Sequence, residues 1–140
     1  MDPKIKNFLD RHRILVLSTL LKDGTPYCAT CHYAFNEDGH IIILTDKNSR
    51  KCEGLDFGKL NPASITIGFS EEEWIEFQST GKLTVVPSQS PIYNDLKSDY
   101  EKKFKTTLDL DNSDVFLIFD IQWGRYMEFK RDPIVKIEMK

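Results

Sequence analysis

A succession of short apolar segments, each closed by a turn signal, is the feature that most limits what this chain can fold into. Ala63, Ile65, Ile67 and Phe69 alternate with Ser64, Thr66 and Gly68, the period-two pattern of a strand with one covered face. Arg13 to Leu21 is apolar at nearly every position, as in a strand covered on both sides. Asp23-Gly24 then supplies a hairpin turn, and the next strand runs from Pro26 to Phe35 into the polar turn Asn36–Gly39. Ile41 to Thr45 and Trp74 to Val86 read as further strands, with Gly81 marking a bulge or a close approach. Val115 to Ile121, Tyr126 to Phe129 and Ile134 to Ile137 complete the β content.

Helices are few. Asp2-Pro3 is an N-cap followed by Pro at the first helical position, and Ile5, Phe8 and Leu9 share one face of a helix up to about His12. Ser90-Pro91 opens a second helix with Tyr93, Leu96, Tyr100 and Phe104 along its packing face. Many strands and few helices predict a closed or nearly closed antiparallel barrel, one domain over residues 1–140.

A chain of 140 residues can bury about two-thirds of its unfolded surface in one core. Its net charge of −3 lacks the basic footprint of a nucleic-acid binder. No run approaches the ~18 apolar residues of a membrane span. No long apolar stretch follows Met1–Lys6, so no secretory signal is expected. Three cysteines, an odd and sparse set, suit a reducing compartment, and the cytoplasm is the expected location.

Functional chemistry concentrates in Thr45-Asp-Lys-Asn-Ser49-Arg50-Lys51. The apolar strand Ile41–Leu44 delivers it, and Asn48 or Ser49 can cap a helix immediately after. Two hydroxyls, a guanidinium and an ammonium then meet at a helix start, a plausible seat for a phosphate. A capped helix start with two solvated basic residues has the same sequence, so the segment alone leaves both readings open.

With these elements placed, the order of motifs resembles the pyridoxamine 5′-phosphate oxidase-like family of FMN-binding split barrels. The resemblance is carried by Leu17-Ser18-Thr19, Asp23-Gly24-Thr25-Pro26, the five-residue step from Thr45 to Arg50, Asn61-Pro62 and Trp74…Gln78…Gly81, over about residues 8 to 86. It implies a Greek-key split β-barrel and a homodimer holding two FMN molecules at the subunit interface. By the same resemblance Thr45, Ser49, Arg50 and Lys51 would bind the FMN phosphate, with Leu44 counted among the cofactor-binding positions. The Tyr27–Phe35 strand would face the isoalloxazine, and Gln78 would offer its amide to the flavin's polar edge. The implied activity is a flavin-dependent oxidoreduction of a small molecule.

The chain also departs from the vitamin-forming oxidase. Ala29–Phe35 lacks the Arg and Lys that serve the cofactor there, and Gln78 lies three residues before Gly81 rather than five, with Glu76 at the original place. The C-terminal basic signature is missing, only Trp123-Gly124-Arg125 standing in its stead, so vitamin B6 oxidation is not the leading activity. Two alternatives follow: a non-catalytic flavin carrier or sensor, and a non-covalent haem binder using His12, His32 or His40, the only histidines.

Other patterns are weaker. Cys28-Ala-Thr-Cys31-His32 matches a haem-attachment pattern, but strand residues three apart point to opposite faces, which disfavours a shared haem or zinc. Glu71-Glu72-Glu73 reads as a solvated turn rather than a metal site. Trp74 reads as an edge aromatic, although it could stack on flavin. No residue stands out as a general acid or base; His32 is the best candidate if its ring reaches the pocket.

Overall fold

The computed structural model describes residues 1–140. Helix α1 (Pro3–Arg11) starts as its cap predicts: Asp2 Oδ1 accepts from the Lys4 amide at 2.8 Å, and Ile5, Phe8 and Leu9 are buried. Strands β1 (Ile14–Leu20), β2 (Pro26–His32), β3 (Ala34–Phe35), β4 (Ile41–Asp46), β5 (Asn61–Gly68), β6 (Ile75–Val86), β7 (Asp114–Glu128) and β8 (Val135–Met139) follow, with α2 (Tyr93–Phe104) between β6 and β7. No helix is long and apolar enough to cross a membrane.

All strand pairs are antiparallel, in the order β2-β1-β5-β6-β7-β4-β3, with β8 also on β7. The two ends of that order, β2 and β3, are separated in the chain by Tyr33 alone. The sheet must therefore curl until its ends meet, as the expected barrel requires. The predicted single strand Pro26–Phe35 is broken at this point. Tyr33 is fully buried and donates its hydroxyl to the Leu9 carbonyl at 2.7 Å, tying the seam to α1. The split lies along β7, whose second edge pairs with β4 over residues 114–119 and with β8 over residues 124–128.

The barrel interior is one cluster of 18 buried residues, including Leu15, Leu17, Ile41, Ile43, Ile65, Ile67 and Phe77. A second cluster of 8 lies outside β4 and β7, where Tyr93, Leu96 and Tyr100 of α2 cover Ile42, Phe116 and Ile118. The predicted packing face of α2 is the one it uses.

Strand β7 runs unbroken through Gln122–Arg125, where the sequence predicts a gap between two strands. β6 pairs along its whole length and supplies the backbone partners, so the polar residues and Gly124 do not interrupt it. The bulge expected at Gly81 is present, as the register shifts between Thr80 and Gly81. A Cβ there would lie 2.0 Å from the Asp120 carbonyl oxygen. Gly81→Ala is therefore expected to lose about 1–3 kcal/mol by overpacking, measurable by urea denaturation. An unchanged midpoint would show that the bulge can open.

Candidate functional site

Strand β4 delivers Thr45 to one end of the barrel with its side chain on the inner face, in register with Val115. Leu44, one residue earlier, points the other way and packs on the α2 cluster, so only its main chain is available to a ligand. After Asp46, whose Oδ1 accepts from the Asn48 amide at 2.7 Å, the chain turns through Ser49 into Arg50–Cys52. These three residues form a single 3-10 turn, not the predicted helix. The reason lies at Gly54, where a Cβ would fall 1.8 Å from the Leu20 carbonyl oxygen. The chain folds down onto the end of β1 instead of extending as a helix. So short a turn offers no helix macrodipole, and any anion held here would be held by side chains.

Those side chains converge. Lys51 Nζ donates to Thr45 Oγ1 at 2.9 Å, and Thr45 Oγ1 and Ser49 Oγ share a hydrogen at 3.2 Å. Thr19 on β1 anchors the turn by donating to the Lys51 carbonyl at 3.3 Å. The ammonium is half-buried and no carboxylate lies within ion-pairing distance of it. A half-buried cation beside two hydroxyls, without a counter-ion, suits a phosphate monoester. Arg50 stands outside this triad. It is exposed, donates to Glu53 Oε2 at 3.5 Å and lies over the Tyr27 ring at 5.6 Å. Arg50, Glu53, Leu21, Lys22 and Asp23 line an open cleft of about 480 Å³ next to the β1–β2 hairpin.

Gln78 is not part of this cluster. It sits on the outer face of the barrel, where strand register sets Thr30, Val16, Thr66, Gln78 and Arg125 in one row across five strands. Gln78 Nε2 donates to Glu76 Oε1 at 2.9 Å, and Arg125 Nη2 donates to Gln78 Oε1 at 3.2 Å. In the sequence Arg125 stands out only in place of a missing signature. Its partnership with Gln78, 47 residues away, becomes visible once β6 and β7 are in register.

The outer face of β1 is open and apolar except at Ser18. Ile14, Val16 and Leu20 are 51%, 39% and 43% exposed, whereas Leu15, Leu17 and Thr19 are buried. The sequence expectation of a strand covered on both faces is thus met on the inner face alone within one chain.

Cys28 is exposed and Cys31 buried, on opposite faces of β2 as the strand geometry predicted. Cys28 Sγ and Ser18 Oγ lie 3.0 Å apart, while burial pushes the Cys31 thiol pKa up. Replacing both by Ser is expected to leave metal and chromophore content unchanged and to cost roughly 1–2 kcal/mol, nearly all from Cys31. Metal analysis, a visible spectrum and urea denaturation beside the parent check this. A stoichiometric zinc or haem lost from the double variant would contradict the placement.

The remaining candidates have structural partners. Arg11 Nη1 donates to Glu73 Oε1 at 2.8 Å, with His12 Nε2 at 3.7 Å from the other carboxylate oxygen. Burial holds the His12 pKa below the usual imidazole range, with the neighbouring Arg11 charge adding to the effect. Glu73 is thereby tied to α1 rather than simply solvated. Trp74 packs against Phe69 at the tip of β5–β6, ring centroids 5.5 Å apart. His32 is exposed on the outer face, edge-on to Phe104 at 5.5 Å, and His40 lies 3.5 Å from Asp120.

A family model described as pyridoxamine 5′-phosphate oxidase matches residues 1–128. No curated protein matches the chain in sequence. Among solved structures, a pyridoxamine 5′-phosphate oxidase-related, FMN binding protein from Nostoc punctiforme superposes with a TM-score of 0.73 at 20% identity, covering 97% of this chain and 89% of that one. HutZ, the haem storage protein of Vibrio cholerae, gives a TM-score of 0.69 at 16% identity, over 86% and 89% of the two chains. A Clostridium acetobutylicum protein related to general stress protein 26 gives 0.69 at 18% identity, over 98% and 92%. At these identities the likeness is one of fold.

Proposed function

This chain belongs to the pyridoxamine 5′-phosphate oxidase family, and on that premise we propose that it binds FMN and acts as a flavin-dependent oxidoreductase on a small molecule. The observation that carries the reading is the half-buried Lys51 ammonium, bonded to Thr45 and lacking any carboxylate, with Ser49 beside it. Thr45, Ser49 and Lys51 would hold the terminal phosphate, and Arg50 would leave its exposed contact with Glu53 to meet the outer phosphate oxygens. Gln78 would offer its amide to the polar edge of the ring system. Bound flavin would supply the two-electron chemistry; the chain supplies binding, orientation and electrostatics.

The same reading includes a homodimer. The exposed Ile14, Val16 and Leu20 form an apolar stripe on a strand flanked on both sides, which a second copy can cover by two-fold symmetry. Three free cysteines fit a reducing compartment, and the cytoplasm is the proposed location.

The visible spectrum of freshly purified protein tests the cofactor. Flavin bands near equimolar with the chain, or saturable binding of added FMN, are expected, followed by sustained turnover with a reduced nicotinamide. FMN binding without turnover would support the carrier or sensor alternative. A Soret band instead of flavin bands would favour haem, for which His32 is the histidine left open on the outer face, the fold being one that the haem storage protein HutZ shares.

A further inference from the structure

The outer-face pair of Gln78 and Arg125 has a feature that phosphate binding at Lys51 does not use. Arg125 is half-buried, and its Nε is shut off from solvent without an acceptor. Its Nη2 is committed to Gln78 Oε1 at 3.2 Å, and Gln78 is held in turn by Glu76 at 2.9 Å. No carboxylate pairs with the guanidinium. Glu138, its register partner on β8, turns to Lys136 at 3.4 Å instead. The Trp123 ring centroid lies 5.7 Å from Arg125 Cζ.

A guanidinium with a desolvated N–H and no counter-ion is destabilised as it stands. A negative charge against its remaining edge offsets that cost, and charge-assisted contacts are the stronger class of hydrogen bond. Gln78 fixes the position of the group, so little side-chain entropy is lost when an anion arrives. We infer that Arg125 is a specificity residue that recognises a small organic carboxylate on the outer face of the barrel. Calling that carboxylate the substrate rests on the flavin reading; the anion site itself belongs to the flavin-free chain.

Benzoate is a suitable probe, and Trp123 a built-in reporter once Trp74→Phe removes the other indole. Titration of flavin-free protein, followed by Trp fluorescence, is expected to saturate in the millimolar range. Arg125→Gln should raise the dissociation constant at least about tenfold, the loss of one charge-assisted contact. Gln78→Glu, which gives Arg125 an internal counter-ion at the cost of the hydrogen bond to Glu76, should do the same in a protein that circular dichroism shows to be folded. Benzyl alcohol, the same ring without the charge, should not saturate. Should Arg125→Gln fail to fold by circular dichroism, Gln78→Glu decides alone. Unchanged benzoate affinity in a folded Arg125→Gln or Gln78→Glu protein, or equal binding of benzyl alcohol, would overturn the inference. FMN titration of the parent separates the two readings. A protein that takes benzoate but no FMN keeps the anion site and loses the flavin reading; one that takes FMN but no benzoate loses the anion site alone.

Discussion

Arg50→Ala is expected to weaken FMN binding by roughly one to two orders of magnitude, the loss of about 1.5–3 kcal/mol for one charge-assisted contact to phosphate. The partners Arg50 has now are weak ones: an exposed carboxylate at 3.5 Å and an aromatic ring at 5.6 Å. Exposed pairs of this kind contribute about 0–1 kcal/mol, so a phosphate competes with them easily. For the same reason the truncation leaves no buried group unpaired, and the melting temperature should stay within a degree or two of the parent. The effect is thus separable from misfolding. Isothermal titration with FMN and with riboflavin gives the sharper reading, because riboflavin lacks the phosphate and should bind parent and variant alike. Equal FMN affinity in the two proteins would remove Arg50 from the site. Equal affinity of the parent for FMN and riboflavin would remove the phosphate seat altogether.

Val16→Lys should have the second large effect, on assembly. Val16 sits within the exposed stripe on β1, two residues from Ile14 and between Thr30 and Thr66 in the register row. In a two-fold dimer one substitution places a charge in the interface from each protomer. Burying either without a partner costs several kcal/mol, far more than the apolar contact it replaces contributes. Self-association should weaken at least about a hundredfold, or 2.7 kcal/mol. Light scattering should then fall from about twice the chain mass of 16.3 kDa to the chain mass itself at micromolar concentration. If the flavin sits at the subunit interface, as the family resemblance implies, FMN content should fall with it. A parent that is monomeric across dilution while retaining FMN would contradict the dimer and the interfacial cofactor together. A dimeric Val16→Lys protein would move the interface to another face.

The match over residues 1–128 and the shared fold agree with what residue order alone suggested, yet the two levels of description carry different information. Strand and helix content was legible because periodicity is local. The alternation through Ile65 and Ile67 and the cap at Asp2 act within a few residues and need no knowledge of the rest of the chain. The cluster of Thr45, Ser49 and Lys51 was legible for the same reason, since a tight turn brings residues so close in sequence together whatever surrounds them. The element that follows was not legible in the same way. A three-residue turn replaced the helix because Gly54 packs on Leu20, a contact made by a strand more than thirty residues earlier.

Tertiary structure decided everything that depends on register between distant strands. It broke the Pro26–Phe35 segment at Tyr33, because a curled sheet has to pass the chain from one end of its strand order to the other. It carried β7 unbroken through Gln122–Arg125, because β6 supplies the hydrogen bonds that local composition does not promise. It set Arg125 beside Gln78, and it turned Ile14, Val16 and Leu20 outward while Leu15 and Leu17 faced the core. The sequence alone determined which residues carry a cation or a hydroxyl and which segments alternate. Which face each alternation buries, and which cations are left without a partner, follows from non-local pairing, where a shift of one residue would exchange every inward side chain for an outward one.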